Sequence, residues 1–186
     1  MRIVGGEFKG KKLSLPDDKN TRPLKDLVKE SIFNLIQHSN KINVKIKNST
    51  ILDLFSGTGS FGLECMSREA KKTIFVENYI EAINILNKNI KSFNDDQIYE
   101  IIEKDCFNFF YSFSSLNTKF DIIFIDPPYK EQRINIIIES ILDKNLLKKE
   151  GIMIIHRHKK DNIKITEKLD IFESRNYGIS KILFGN

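Results

Sequence analysis

Residues 120–129 read Phe-Asp-Ile-Ile-Phe-Ile-Asp-Pro-Pro-Tyr. The first six form a short, mostly apolar and β-branched run without helical periodicity, which predicts a strand buried on both faces. Pro127 and Pro128 lack backbone N–H donors, so the strand must end at Asp126 and the chain must turn out of the sheet. Open α/β sheets bind their ligands at the carboxyl ends of strands. A carboxylate, rigid carbonyls and the Tyr129 ring are therefore expected together at a binding edge.

This turn suits one kind of chemistry. An amine attached to an aromatic ring is a poor nucleophile because its lone pair is delocalised into the ring. Asp126 and the carbonyl of Pro127 can accept both N–H groups of such an amine and aim its lone pair at an electrophile, while Tyr129 offers a stacking face. We therefore predict a site for the exocyclic amine of a nucleobase. The alternative is a Pro-Pro turn that ends a core strand with a solvated aspartate.

The composition limits the class of protein. A chain of 186 residues predicts one domain, or one domain with a small appendage. It has no apolar run as long as a membrane span and no signal-peptide segment at its start, so we expect a cytoplasmic location. Cys65 and Cys106 have no metal-ligand spacing and are expected to be buried thiols. We expect no metal site.

The positive charge is concentrated at one end of the chain. Residues 1–50 carry a net charge of +6, and the remainder carries −1. Localised basic charge is what phosphate binding requires. Residues 1–15 alternate apolar and basic side chains around glycines, which predicts a small hairpin or two short strands. The basic side chains expected to face solvent there are Arg2, Lys9, Lys11 and Lys12. Alternatively, these lysines only discourage aggregation at a strand edge.

A helix is predicted to follow this basic segment. Thr21-Arg22-Pro23 is typical of a helix start, with Thr21 or Arg22 at the cap and Pro23 in the first position. The apolar stripe of this helix would consist of Leu24, Leu27, Val28, Ile32 and Leu35. Arg22, Lys25 and Lys29 lie off that stripe and are expected to face solvent. Arg22 is also well placed to hold a phosphate.

A glycine-rich turn follows the first predicted strand of the main sheet. Residues 51–62 read as a strand, a turn and the opening of a helix. Gly57 and Gly59 permit a tight turn and close approach of the backbone to a bound molecule. The segment from Gly57 to Gly62 also spells the dinucleotide pattern GxGxxG, which is a weak signal by itself. A pyridine-nucleotide enzyme therefore remains an alternative at this point.

Two acids end the next two predicted strands. Thr73–Glu77 should form a strand that ends in Glu77, which can accept hydrogen bonds from both hydroxyls of a ribose. This supports an adenosine-containing cofactor without choosing between a dinucleotide and S-adenosylmethionine. Asp105 follows the predicted strand Ile98–Glu103 and can either accept from an adenine amino group or cap the helix from Phe107 to Phe113.

In the second half of the chain, predicted strands and helices continue to alternate. Its apolar residues predict a helix along 134–142, a turn at Glu150-Gly151, a strand at Ile152–Ile155 and a closing antiparallel hairpin near 169–184. Strands that alternate with helices predict an α/β fold with a mostly parallel sheet. His156 and His158 lie in a basic stretch without an acidic partner and are interpreted as part of a solvated loop.

The motifs together resemble a known class of enzyme. Asp53-x-Phe55-x-Gly57-x-Gly59, Glu77, Asp105 and Asp126-Pro127-Pro128-Tyr129 are similar to the Rossmann-like S-adenosylmethionine-dependent methyltransferases that modify exocyclic amines. The ends of the chain narrow the resemblance to the bacterial 16S ribosomal RNA guanine(966)-N2 methyltransferase family. These ends are Arg2-Ile3-Val4-Gly5-Gly6 with Lys9-Gly10-Lys11-Lys12-Leu13, then Thr21-Arg22-Pro23 with Asp26, Val28, Glu30, Phe33 and Asn34, and finally Arg175-x-Tyr177-Gly178. The similarity runs nearly end to end.

The resemblance implies a fold and a set of roles. It implies a seven-stranded, mostly parallel sheet with an antiparallel last strand, helices on both faces and a small N-terminal hairpin and helix. Residues 1–48 would be the RNA-contacting extension and residues 49–186 the methyltransferase domain. The partner would be 16S ribosomal RNA or the assembling small ribosomal subunit, and the protein would act as a monomer without a metal.

The resemblance also assigns site residues. The cofactor S-adenosylmethionine would be bound by Asp53, Phe55, Gly57, Thr58, Gly59, Glu77, Asn78, Asp105 and Cys106. Among these, Asp53, Gly57 and Gly59 would hold its methionine part, Glu77 its ribose, and Asp105 with Cys106 its adenine. The target guanine would be held by Asp126, Pro127, Pro128 and Tyr129. RNA would be contacted by Arg2, Lys9, Lys11, Lys12, Arg22 and Lys25.

Two residues depart from the family pattern. Leu24 stands where the family usually has Thr, and His156 stands where it usually has an acid. We expect both departures to affect RNA contacts or the edge of the sheet and to leave the methyl-transfer centre untouched.

Three alternative functions remain open at this stage. An adenine-N6 methyltransferase acting on RNA or DNA would use the same turn at Asp126. A nicotinamide-dependent oxidoreductase would use the glycines but leaves Asp126 to Tyr129 unexplained. A non-catalytic RNA-binding or assembly factor would not need Asp126 at all.

Overall fold

The computed structural model describes residues 1–17, 21, 24–93, 99–112 and 118–186. The strands in these residues are β1 (Thr50–Leu54), β2 (Lys72–Glu77), β3 (Tyr99–Glu103), β4 (Phe120–Ile125), β5 (Leu147–His158), β6 (Ile171–Tyr177) and β7 (Ser180–Gly185). They form one sheet in the order β3-β2-β1-β4-β5-β7-β6. The first five strands in this order run parallel to one another. Strand β7 is antiparallel to both of its neighbours, β5 and β6.

The helices of the same residues cover both faces of the sheet. They are α1 (Asp26–His38), α2 (Ser60–Ser67), α3 (Ile80–Lys91), α4 (Cys106–Ser112) and α5 (Ile134–Asp143). The apolar residues of α4 and α5 pack with alternate strand residues such as Leu52 and Ile74. Those of α1, α2 and α3 pack with the intervening residues Ile51 and Phe75 on the other face. The predicted α/β architecture with an antiparallel last strand is confirmed. None of the helices in the described ranges is long and apolar enough to cross a membrane.

The N-terminal segment is a compact arm that folds back on itself as a small hairpin, as predicted, without two regular strands. Its backbone forms one isolated antiparallel bridge between Arg2 and Lys12. Ile3 and Leu13 are buried against α2 and α3. Arg2, Lys9 and Lys12 face solvent as predicted, but Lys11 does not. The ammonium of Lys11 lies 5.0 Å from the ring centroids of both Phe8 and Phe93 and donates a hydrogen bond to the carbonyl of Ser92. The cation–aromatic contacts draw this lysine inward.

Helix α1 begins later than the sequence predicts. Lys25 is its N-cap residue, with φ −60° and ψ 140°, and the amide of Lys29 donates to the Lys25 carbonyl at 3.0 Å. The predicted start at Thr21 to Pro23 is therefore wrong, although Arg22 and Pro23 themselves lie outside the described residues. Asp26 occupies the first turn, where a negative charge complements the helix dipole.

The buried face of α1 also differs from the predicted stripe. Leu27 is 67% exposed, and Lys29 is fully buried. The Lys29 ammonium donates to the Arg2 carbonyl at 2.6 Å and to Ser60 Oγ at 3.3 Å, and it lies 3.8 Å from a carboxylate oxygen of Glu64. Burial lowers the pKa of Lys29, and Glu64 opposes that effect. A lysine predicted to face solvent is thus part of a buried polar cluster between α1, α2 and the arm.

Strand β5 is longer than predicted at both ends. Glu150 and Gly151 lie within it, so the predicted turn there is wrong. The extra residues are absorbed by a register shift between the pairs Phe120–Leu147 and Ile122–Ile152. At the other end β5 continues through His156 and Arg157, each of which is 2% exposed. The interpretation of His156 and His158 as part of a solvated loop is therefore wrong, because both lie in this strand.

Candidate active site

The carboxyl ends of β1 to β4 open onto a cavity of about 440 Å³. Most of the residues predicted to bind a cofactor or a target base line it, namely Asp53, Phe55, Gly57, Thr58, Glu77, Asn78, Asp105, Asp126, Pro127, Pro128 and Tyr129. Gly59 is the N-cap residue of α2. The Cys106 thiol is buried behind the cavity wall and accepts a hydrogen bond from the Phe55 amide at 3.2 Å. Both cysteines are buried and free, as predicted.

The glycine turn is tied to the neighbouring strand by Glu77. Gly57 and Gly59 have φ angles of +54° and +83°, a conformation that favours glycine. One oxygen of Glu77 accepts a hydrogen bond from the Gly57 amide at 2.7 Å. Its other oxygen accepts from the amides of Asn78 and Tyr79 at 2.9 and 3.0 Å. The turn after β1 and the end of β2 are therefore held in one fixed arrangement.

The cavity is acidic. Its wall contains the carboxylates of Asp53, Glu77, Asp105 and Asp126. Asp53 is 1% exposed and accepts a hydrogen bond from the Gly62 amide at 2.9 Å. Burial raises the pKa of Asp53 well above its usual value, and the nearby charges of Asp126 and Glu77 raise it further. A positively charged ligand would relieve this accumulation of negative charge.

Asp105 performs the helix-capping role considered from the sequence and also faces the cavity. Its Oδ1 atom accepts from the amides of Phe107 and Asn108 at 2.9 and 3.1 Å. The guanidinium of Arg133 lies 4.1 Å from the centroid of the Phe107 ring, and Arg133 forms a two-point pair with Glu131. These three side chains also line the cavity.

The carboxylate of Asp126 contacts a buried histidine. His156 Nδ1 lies 2.9 Å from Asp126 Oδ1. The other ring nitrogen of His156 lies 2.8 Å from Ser180 Oγ on β7. The expectation that the departure at His156 leaves the methyl-transfer centre untouched is therefore wrong, because this residue touches the central carboxylate. Leu24, the second departure, also lines the cavity.

Arg157 holds the rest of the turn from the next position of β5. Its guanidinium donates to the carbonyls of Pro128, Tyr129 and Glu131 at 3.4, 3.2 and 2.9 Å. Its Nε atom also donates to the carboxylate of Asp161. By contrast, no donor among the described residues bonds to the carbonyl of Pro127. The turn thus keeps one rigid carbonyl, beside Asp126, available to a ligand.

A second cavity of about 540 Å³ lies on the other side of Tyr129, whose ring lines both. The ring of His158 meets that of Tyr129 edge to face, with 4.9 Å between centroids. Lys160 and Gln132 also line this second cavity. Among the described residues, no cluster of three or more His, Cys, Asp or Glu side chains is arranged to hold a metal ion.

Four residues at or beside the site were not predicted as site residues from the sequence, namely His156, Arg157, Phe107 and Arg133. A signal for His156 was available, because the two predicted strands end at Ile125 and Ile155, and Asp126 and His156 are the residues that follow them. Phe107 similarly follows the edge residues Asp105 and Cys106. For Arg157 and Arg133 the contacts depend on the path of the turn, which the sequence does not specify.

Comparison with the sequences of known proteins shows which family the chain belongs to. A family model described as Conserved hypothetical protein 95 matches residues 1–186. The protein named ribosomal RNA small subunit methyltransferase D from Buchnera aphidicola subsp. Acyrthosiphon pisum is 31% identical over 173 residues, which cover 93% of this chain and 86% of that protein. The Haemophilus influenzae protein of the same name is 29% identical over 180 residues, covering 96% and 90%.

Solved structures show the same fold. Haemophilus influenzae HI0767 has a TM-score of 0.78 and 28% identity, with 100% of this chain and 98% of that chain covered. Escherichia coli yhhF has a TM-score of 0.82 and 22% identity, with 100% and 96% covered. The chain therefore belongs to the Conserved hypothetical protein 95 family, and its relatives include the bacterial proteins named ribosomal RNA small subunit methyltransferase D.

Proposed function

We propose that this protein is an S-adenosylmethionine-dependent methyltransferase of small-subunit ribosomal RNA and that it modifies the exocyclic N2 amine of a guanine. The observation that carries the proposal is the shared cavity: the acidic glycine-turn pocket and the Asp126 to Tyr129 turn line the same space. The names of the relatives support ribosomal RNA as the substrate class. The resemblance to the guanine-N2 family supports the choice of atom.

The cavity fits S-adenosylmethionine better than a dinucleotide. The fully buried Asp53, with its raised pKa, favours a cationic ligand, whereas the two negative charges of a diphosphate would be repelled by the carboxylates of the wall. The Thr21 hydroxyl is buried at the cavity wall without a hydrogen-bond partner among the described residues, so a ligand group can satisfy it. When bound, the cofactor supplies a methyl group activated by its sulfonium charge.

The cofactor-binding roles implied by the resemblance are part of this proposal. Asp53, Gly57 and Gly59 would hold the methionine part, Glu77 the ribose, and Asp105 with Cys106 the adenine. Phe55, Thr58 and Asn78 would complete the cofactor site. Cys106 and Phe55 support the cavity wall through their mutual hydrogen bond. Because Glu77 already accepts three amide hydrogen bonds, its carboxylate is oriented before any ligand arrives.

The target base would be bound at the rigid turn. Asp126 and the Pro127 carbonyl accept the two N–H groups of the amine, and Tyr129 stacks on the base. The base must leave its stack in the RNA, which costs a few kcal/mol and least in a loop. The proton released from the methylated nitrogen passes to Asp126 or to water. The protein therefore contributes alignment and exclusion of solvent.

The RNA strand would run over the basic N-terminal residues. Arg2, Lys9, Lys12 and Lys25 are exposed and suited to phosphate contacts, while Lys11 is committed to its aromatic contacts. Arg22 lies outside the described residues. The proposal has two further parts. Residues 1–48 form an RNA-contacting extension of a catalytic domain at 49–186. The protein is a cytoplasmic monomer.

Nucleoside analysis tests the proposed function. Small-subunit ribosomal RNA from cells lacking the gene is incubated with the protein and S-adenosylmethionine carrying a labelled methyl group, and the digested nucleosides are separated. We expect label in N2-methylguanosine with the wild-type protein and none with Asp126→Ala. Label in N6-methyladenosine would favour the adenine alternative. Thermal stabilisation by NAD but not by S-adenosylhomocysteine would establish the oxidoreductase instead.

A further inference from the structure

We propose that His156 is a positioning residue for methyl transfer, which orients the Asp126 carboxylate toward the target amine and is itself held by Ser180. The inference rests on the proposed function, because Asp126 is the amine acceptor only if that function is right. It assigns a role to a side chain that the sequence analysis placed in a solvated loop.

Three side chains, those of Asp126, His156 and Ser180, contact one another in series behind the turn at Asp126 to Tyr129. Asp126 Oδ1 lies 2.9 Å from His156 Nδ1, and His156 Nε2 lies 2.8 Å from Ser180 Oγ. The histidine and serine are 2% and 3% exposed. Both ring nitrogens are therefore used by side chains in a site shielded from water. The imidazole cannot rotate without breaking both bonds, and in a buried site each broken bond leaves a polar group unsatisfied.

The protonation pattern of His156 follows from its partners. An ionised carboxylate only accepts hydrogen bonds, so the Nδ1 atom that faces Asp126 must carry a proton. The Ser180 hydroxyl can donate to a bare Nε2 or accept from a protonated one. In both cases the Nδ1–H group points at Asp126 Oδ1. A carboxylate has about four acceptor positions, so this bond fixes its plane and leaves capacity for an amine.

The sheet explains why this residue reaches the carboxylate. β4 and β5 are parallel and pair Ile125 with Ile155, which places Asp126 and His156 one step further along adjacent strands. β7 runs antiparallel on the other side of β5 and brings Ser180 alongside. Arg157, the next residue of β5, binds carbonyls further along the turn. His156 is thus the residue of β5 whose ring contacts the carboxylate itself.

Two matched substitutions of His156 distinguish a role in orienting Asp126 from a role in stabilising the fold. His156→Asn keeps an N–H donor near the position of Nδ1, whereas His156→Leu removes the donor at similar volume. We expect His156→Leu to lower kcat by about 10²-fold, as small misplacements of a reacting group do. S-adenosylhomocysteine affinity should stay near that of the wild type. His156→Asn should recover most of the lost kcat. His38→Leu, at an exposed histidine in the last turn of α1, is the control and should leave kcat unchanged.

Nitrogen-15 NMR of histidine-labelled protein gives a readout that does not depend on activity. Spectra that correlate ring nitrogens with ring protons show which nitrogen carries the proton. We expect a proton on Nδ1 of His156 in the wild type, with or without one on Nε2, and a changed Nδ1 signal in Asp126→Ala. A bare Nδ1 in the wild type contradicts the inference.

The two experiments distinguish the possible failures. If His156→Asn is as slow as His156→Leu while both retain the thermal stability of the wild type, the donor has no positioning role and the inference is wrong. If the wild type methylates no guanine in small-subunit RNA, the proposed function fails first, and the NMR result then describes only the fold.

Discussion

Replacing Asp53 with asparagine should stabilise the protein in a pH-dependent way while weakening cofactor binding. Asp53 is fully buried, and burial raises the pKa of its carboxyl above the ordinary value of 3.8. An acid with a higher pKa in the folded state binds more protons folded than unfolded. The free energy of unfolding therefore falls as pH rises from the unfolded pKa through the folded one. Asparagine does not ionise and so does not lose this stability.

The size of the effect follows from the linkage relation. A pKa that is one unit higher in the folded state corresponds to about 1.4 kcal/mol of lost stability above both pKa values. In a chain of this length each 1 kcal/mol of stability shifts Tm by about 2–4 °C, so the difference in Tm between the two proteins should be larger at neutral pH than at pH 4. The Gly62 hydrogen bond can persist, since the asparagine carbonyl accepts it. The new amide N–H groups add a cost that does not vary with pH, so the test is the pH dependence of the difference.

The assay is thermal unfolding of both proteins across a pH series, with S-adenosylhomocysteine titrated at neutral pH. The Tm of Asp53→Asn minus that of the wild type should rise with pH, and the variant should bind S-adenosylhomocysteine more weakly. A difference that is constant or falls with pH would show that the pKa of Asp53 is not raised in the folded protein. Glu139→Gln, at a carboxylate of α5 away from the cavity, serves as the control and should give a difference close to zero at every pH.

Three other outcomes are expected. Arg157→Met should lower the free energy of unfolding by about 3–5 kcal/mol in urea denaturation, because it leaves the Asp161 carboxylate without its buried partner and releases the turn; an unchanged midpoint would contradict this. Lys12→Ala should raise KM for RNA and reduce the slope of log K against log salt concentration by about one. Lys11→Ala should mainly lower Tm, because it removes the contacts with Phe8 and Phe93. Equal effects of the two substitutions on RNA binding would show that the Lys11 side chain contacts RNA instead of these rings. S-adenosylhomocysteine at about 100 times its Kd should stabilise the protein by about 2.7 kcal/mol, whereas NAD should give no shift in Tm.

The parts of the fold that follow from local chemistry could be predicted from the sequence. β4 ends at Ile125 because two prolines remove the next donors, and the glycine turn after β1 takes positive φ angles that need glycine. The carboxyl ends of these parallel strands meet at one edge of the sheet. The residues of the cavity could therefore be gathered before the structure was known.

The residues that sequence reasoning misplaced are buried polar side chains with distant partners. Lys29 and Arg157 look solvent-facing by composition, yet each is held by backbone carbonyls and a carboxylate from other elements. His156 likewise is buried only because Asp126 and Ser180 satisfy both of its nitrogens. Periodicity records hydrophobic burial and gives no information on such long-range polar pairing.

A crystal structure of the protein with S-adenosylhomocysteine would show whether the cofactor and the target amine meet in one cavity. We expect the adenosine beside Glu77 and Asp105 and the sulfur atom facing Asp126 across the cavity. Density for the ligand outside this cavity, or with its sulfur directed away from the turn at Asp126 to Tyr129, would contradict this expectation.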